Sequence, residues 1–139
     1  MNPAIAPFAI ADYEQVFALW KRCEGIGLSD ADAPDAIWAY LEKNPGTSFT
    51  ARAGGEIVGA ILGGHDGRRG YIYHLAVDAG WRRKGIARLL VERCLTALKE
   101  AGIRKVHIFL FNDNLSGKAF WESMGWTCRG DIGVVSKSL

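Results

Sequence analysis

Arg82, Arg83, Lys84, Gly85, Ile86 and Ala87 place three cations beside a glycine near the middle of the chain. The run His74-Leu-Ala-Val-Asp78 before them reads as the end of a strand, and the residues after them as an amphipathic helix. At a helix N-terminus several backbone N–H groups lack intrahelical partners and the macrodipole is positive, so an anion is favoured there. Gly85 lets the backbone approach an anion closely, and the flanking cations add charge. A basic triplet alone is ordinarily solvated surface. Between a strand and a helix it points to phosphate binding.

Other side chains could carry protons or attract a charged substrate. Alternation along the strand puts Tyr71, Tyr73, Leu75 and Val77 on one face and Ile72, His74 and Ala76 on the other. His74 then reads as a core or edge histidine, His65 as a solvated turn residue within reach of a site mouth, and His107 as structural. Glu24, Asp30, Asp32 and Asp35 read as helix caps and solvated turn residues. Trp38 follows one helical turn after Asp35.

The elements that must position these residues belong to one domain of 139 residues,. The chain is 49% hydrophobic and 23% charged, which excludes disorder, and its net charge of +2 implies no nucleic-acid partner,. Cys23, Cys94 and Cys128 have neither metal-site nor disulfide spacing, so no metal is expected. No basic leader and no stretch near the roughly 20 apolar residues of a membrane span is visible. A cytoplasmic protein without a membrane partner, monomeric or homodimeric, is expected.

A first strand covers residues 5–9. Asp12 caps a helix with Val16, Leu19, Trp20 and Cys23 at helical spacing, ended by Gly25 and Gly27. Pro34 opens a second helix running to about residue 43, broken by Asn44-Pro45-Gly46. Residues 47–53 and 56–63 are strands joined at Gly54-Gly55, a strong hairpin signal. A polar turn, residues 65–70, leads into a strand at 71–78. The helix from 85 to about 101 carries Ile86, Leu90, Cys94, Leu98 and Ala101 on one face. Residues 106–111 are apolar enough for a central strand covered on both sides. A short helix at 116–124 and two strands at 126–129 and 133–137 complete the order.

Arg82-x-x-Gly85-x-Ala87 after an apolar strand resembles the coenzyme A pyrophosphate loop of the GNAT superfamily of acyl-CoA-dependent N-acetyltransferases. Asn114 followed by Gly117-Lys-Ala-Phe-Trp-Glu-Ser-Met-Gly-Trp126 resembles that family's Asn-x-x-Ala-x-x-x-Tyr-Glu-x-x-Gly-Phe block. The hairpin Glu56-Ile-Val-Gly-Ala60 adds a third, weaker likeness, and the element order agrees. The pattern, including Leu-Trp-Lys-Arg-Cys23 and Gly-Gly-His-Asp-Gly67, is closest to bacterial YpeA-type acetyltransferases.

The resemblance implies a mixed α/β fold, with a mostly antiparallel sheet splayed between the strands containing Val77 and Phe109 and helices on both faces. It implies transfer of acetyl from acetyl-CoA, as cosubstrate, to a primary amine on a small molecule, a protein N-terminus or a lysine. Arg82, Arg83, Lys84, Gly85, Ile86 and Ala87 would hold the pyrophosphate. Leu75, Ala76 and Val77 would pair with the pantetheine arm and polarise the thioester carbonyl, and Asn114, Lys118 and Trp121 would flank pantetheine and thiol. In the family the segment holding Asp30, Asp32 and Asp35 lines the acceptor pocket.

Two departures bear on mechanism. Trp121 stands where many members have a tyrosine acid, and Phe109 where some have a glutamate base. An indole N–H does not transfer a proton at ordinary pH. Several relatives carry a Glu or His base at the Tyr71 and Tyr73 positions, and Tyr73 is the catalytic candidate. It reads as thiol-side acid, as a link in a water chain, or as an aromatic packed beside pantetheine. A non-catalytic acyl-CoA-binding module is the rival function. A nucleotide-binding reading is disfavoured because no Gly-Lys-Ser/Thr loop is present.

Overall fold

Two adjacent glycines set the first turn of the sheet. Gly54 (φ +56°) and Gly55 (φ +87°) occupy the left-handed region that a two-residue hairpin needs,. They join β2 (Phe49–Ala53) to β3 (Glu56–His65) in antiparallel pairing. At the other end of β3 the Asp66 carboxylate accepts the N–H groups of Arg68 (2.8 Å) and Arg69 (2.9 Å), closing the turn into β4 (Gly70–Val77). β1 (Ala4–Pro7) pairs antiparallel with β2, and β5 (Val106–Ile108) pairs parallel with β4. The five strands therefore lie in chain order. The computed structural model describes residues 2–139, in two units: the first extends to Phe109, the second runs from Leu110 to Leu139.

β3 is the buried strand of the first unit, covered on both faces from Ile57 to Gly64. One face meets α1 (Tyr13–Arg22) and α2 (Pro34–Lys43). Val16, Leu19, Trp20 and Ile37 form a core there with Ile57, Ala60, Leu62 and Ala76. The other face meets α3 (Ile86–Glu100), whose buried stripe is Ile86, Leu90, Val91, Cys94 and Leu98. The sheet's glycines let α3 lie close. A Cβ on Gly59 would stand 3.1 Å from both Ile86 and Leu90, and one on Gly63 would stand 2.3 Å from the Cys94 sulfur. The α/β class and the helices on both faces are as the sequence implies.

Several local expectations are corrected. Residues 106–111 are not a central strand. β5 stops at Ile108, lies at the sheet's end, and leaves Phe109 and Phe111 57% and 60% exposed. A short apolar run does not distinguish a covered strand from an edge. Neither final strand forms. From Trp126 onward no helix or strand is present, and Arg129 pairs with Asp131 two residues on (2.8 and 2.9 Å). Ile132, Val134 and Val135 stay exposed. Ala101 is also exposed, outside the α3 stripe. Asp12 does stand before α1, but its carboxylate accepts from the Ala9 N–H and from Arg52 (both 3.0 Å), not from the helix.

The second unit is built on α4 (Leu115–Ser123). Trp121 is buried there, with the Trp126 ring 4.7 Å and the Phe120 ring 5.3 Å away.

The glycines under α3 give a direct test. Gly63→Ala would drive its methyl into the Cys94 sulfur and to 2.5 Å from the Thr47 carbonyl oxygen. The backbone acceptor cannot move aside, so a loss of about 1–3 kcal/mol is expected in urea unfolding.

Candidate active site

The basic turn begins where β4 ends. The Asp78 N–H donates to Val58 O (2.8 Å), the last cross-strand bond, and a short 3₁₀ turn, Ala79–Trp81, follows. Arg82 is extended and its Nε donates back to Val77 O (3.4 Å). Arg83 takes φ +63°, rare for a side-chain-bearing residue, and Gly85 takes φ +80° as the residue preceding α3,. Arg82, Arg83, Lys84 and Gly85 are exposed. Gly85 brings no capping side chain, so the first-turn N–H groups of Ile86, Ala87 and Arg88 remain without intrahelical acceptors,. A Cβ at Gly85 would meet nothing within 4 Å, so open space lies over this turn. The residues expected to meet an anion therefore follow one another as a strand end, a cationic turn and a helix N-terminus.

β4 contains an irregularity. Leu62 opposes Tyr73 and Ala60 opposes Ala76, so two steps along β3 match three along β4. The extra residue is a β-bulge, and His74 within it has φ +49°,. Pairing with β5 ends at Ile72. Beyond that point one edge of β4 has no strand beside it. Since the Asp78 N–H points to β3, alternation turns the Val77 N–H to the unpaired edge and that of Ala76 to β3, while Leu75 lies within the bulge,. Val77 O lies on the same edge, reached by Arg82 and, at 3.6 Å, by the Cys23 thiol.

The bulge also corrects the expected division of faces. Before it, Tyr73 packs toward α1 and α2. After it, Ala76 joins that same core, while Val77 opposes Gly59, which faces α3. Tyr71 and Tyr73 thus do not share a face with Val77. His74 is on the α1–α2 side: its ring meets Trp20 edge-on at 4.9 Å, and its Nε2 is 2.8 Å from Asp32 Oδ1.

Asp32 is the one buried member of the acidic stretch; Glu24, Asp30 and Asp35 are exposed. Its Oδ2 accepts the Ser29 N–H (2.9 Å) and its backbone oxygen accepts the Tyr13 hydroxyl (2.6 Å). Tyr73 sits in an aromatic group, 6.3 Å from Tyr40, 6.4 Å from Tyr71 and 6.2 Å from Phe109 between ring centres. Burial, with Tyr71 adding to it, raises the Tyr73 phenol above its ordinary value, so the proton stays on through neutral pH,. His65 is tied into its turn, with Nδ1 accepting the Gly67 N–H at 3.0 Å. His107 lies against Tyr71 at 5.8 Å. In the second unit Asn114 precedes α4 and accepts the Gly117 N–H (2.9 Å), Lys118 is exposed, and Trp121 is core.

The acetyltransferase (GNAT) family matches residues 13–126. The chain belongs to that family. A relative from Sodalis glossinidius, named an acetyltransferase, is 31% identical over 135 residues, 97% of this chain and 94% of its own. One from Pectobacterium atrosepticum, named likewise, is 37% identical over 113 residues, 81% and 79% of the two chains. Ard1 from Thermoplasma volcanium shares the fold with a TM-score of 0.82 at 21% identity, covering 94% of this chain and 86% of its own. AAC(6′)-Iy, solved with the bisubstrate analogue CoA-S-monomethyl-acetylneamine, has a TM-score of 0.80 at 17% identity, with both chains fully covered. This GNAT chain is accordingly an acyltransferase whose general chemistry is acetyl transfer. No helix among its described residues is long and apolar enough to cross a membrane.

Sequence reading missed the His74–Asp32 pair, whose members are 42 positions apart. The only local sign was Ser29-x-x-Asp32, which has capping-box spacing. Nothing in the sequence around His74 marks a bulge.

Proposed function

We propose that this acetyltransferase carries acetyl from acetyl-CoA directly to a primary amine, with both substrates bound together. One observation carries the reading: within the first unit, the unpaired edge of β4 runs straight into the cationic turn and open N-terminus of α3. An extended pantetheine arm can add to such an edge as a strand would, and a pyrophosphate suits such a terminus. The CoA analogue named with the AAC(6′)-Iy structure supports coenzyme A as the carrier.

In this reading Arg82, Arg83, Lys84 and the N–H groups of Gly85, Ile86 and Ala87 bind the pyrophosphate. The N–H groups of Leu75 and Val77 face pantetheine and the thioester carbonyl, and Ala76 anchors them to β3. Asn114, Lys118 and Trp121 are the positions where the family resemblance puts further pantetheine contacts. The amine nitrogen attacks the carbonyl carbon, the C–S bond breaks, and the departing sulfur takes a proton for which the Tyr73 phenol is the protein's candidate donor. Holding the reactants together and polarising the carbonyl supply most of the acceleration. The motifs Leu-Trp-Lys-Arg-Cys23 and Gly-Gly-His-Asp-Gly67 favour a YpeA-type enzyme. Trp20 packs on His74, and Gly64 leaves no room for a side chain beside Tyr40.

Gly85→Glu puts bulk and negative charge into the open space over the turn. Calorimetry should show acetyl-CoA binding abolished while far-UV circular dichroism stays native; unchanged affinity contradicts the assignment.

Tyr73→Phe should slow kcat by at most about 10²–10⁴-fold, the range of one acid–base group. Because the Tyr73 pKa is raised, the donating form persists through neutrality and is lost only in strong alkali. The ratio of wild-type to variant rates should therefore stay flat from neutral pH to about 10, the ordinary tyrosine value, and fall above it. A ratio that falls below pH 9 or is unity throughout (stopped assays, about two pH points per unit) removes Tyr73 from the mechanism.

A further inference from the structure

The acetyl-transfer reading leaves unanswered which group takes the proton that the amine must lose, since Phe109 and Trp121 cannot. The bulge in β4 supplies one. We propose that His74 accepts the amine's proton at Nδ1 and that Asp32 is the positioning residue that holds it ready. This rests on the function proposed above.

The ring geometry sets the proton's place. Nε2 lies 2.8 Å from Asp32 Oδ1, and a carboxylate can only accept, so in the neutral imidazole Nε2 carries the hydrogen and the lone pair falls on Nδ1,. Nδ1 makes no hydrogen bond among the described residues, and the side chain keeps 17% of its exposure. Asp32 cannot swing away. Its second oxygen holds the Ser29 N–H, its backbone oxygen holds the Tyr13 hydroxyl, and its side chain is 5% exposed. Trp20 packs edge-on against the imidazole. His74 keeps a left-handed backbone that side chains seldom adopt, and strained residues of this kind persist where surrounding contacts over-determine them,. It also immediately precedes Leu75, the first residue of the unpaired edge.

The step balances without another reactant. The amine nitrogen forms the N–C bond, and its surplus proton passes to His74 Nδ1. The C–S electron pair leaves on sulfur, which gains one proton from water or from Tyr73, His74 returns its proton to solvent, and a Tyr73 that has donated regains one from solvent. The products are an amide and a free thiol. A nitrogen base oriented by a carboxylate is a recurrent arrangement for such transfers.

The experiment uses the whole chain and the variants His74→Asn and Asp32→Asn. Asparagine is chosen at 74 because it tolerates positive φ. Acetyl-CoA affinity is measured by calorimetry, turnover with glycinamide and ethylamine as acceptors, and the His74 tautomer by nitrogen-15 NMR of the imidazole. Wild type should show the Nε2–H tautomer. His74→Asn should lower kcat by about 10²–10⁴-fold with either amine and leave acetyl-CoA affinity unchanged. Asp32→Asn should disturb the tautomer and lower kcat with little change in KM. An Nδ1–H tautomer, a folded His74→Asn protein with wild-type kcat, or a wild-type protein that binds acetyl-CoA yet acetylates neither amine overturns the proposal. If His74→Asn does not fold, the tautomer and the Asp32→Asn kcat decide. Wild type that fails to bind acetyl-CoA overturns the underlying reading instead, and calorimetry shows that before any variant is made.

Discussion

One extra residue in β4 governs the chemistry available to this fold. With strict pairing, Tyr73 to Val77 would alternate regularly and His74 would point toward α3. The bulge instead opposes three residues to two on β3. It turns His74 toward Asp32 and Trp20, and the stretch from Leu75 to Val77 lies on an edge that β5 does not cover. Bulges re-aim side chains and end pairing at little cost in chain length. Here the consequences fall on both sides of the strand, a side-chain pair on one face and free amides along one edge.

That edge is useful only because α3 begins where it ends. The closeness is a packing result, set by small residues on the sheet. Gly59 leaves room for Ile86 and Leu90, Gly63 for Cys94, and Gly70 for Leu98, each at a separation that a methyl group would obstruct. The buried stripe of α3 thereby fixes the helix along its length on β3 and β4. Burial pushes the Cys94 thiol up to about 12, so it stays a neutral, apolar-like part of that stripe,. The first turn of α3 then follows the end of β4 across the short 3₁₀ turn and the cationic residues. A left-handed backbone at Arg83 and Gly85 leads the chain from strand to helix in few residues,.

Punctuated elements were legible from the residues. α2 begins at Pro34 and ends before Asn44-Pro45 because proline suits a first helical turn and stops what precedes it,. The β2–β3 hairpin turns at Gly54-Gly55, and α3 follows Gly85 with Ile86, Leu90, Cys94 and Leu98 of the expected stripe buried. What escaped reading depends on tertiary pairing. A bulge needs no special residue, and His74 differs from its neighbours only in the company the fold gives it. Asp32 read as one solvated carboxylate among several until the turn at residues 29–32 brought it inward. The apolar run after Val106 pointed to burial, yet β5 finds a strand on one side only. The strands expected after Gly125 do not form, and Ile132, Val134 and Val135 stay exposed.

The central claim is that the free amides of Leu75 and Val77 and the N-terminus of α3 together receive one extended, anionic acyl carrier. Backbone amide NMR during titration with a thioether analogue of acetyl-CoA, which cannot transfer its acyl group, tests it most directly. The largest shifts should fall on Leu75, Val77 and Gly85 through Arg88, with one common affinity. Saturation of the analogue with those amides unmoved, or with the two groups titrating at different affinities, would contradict the account.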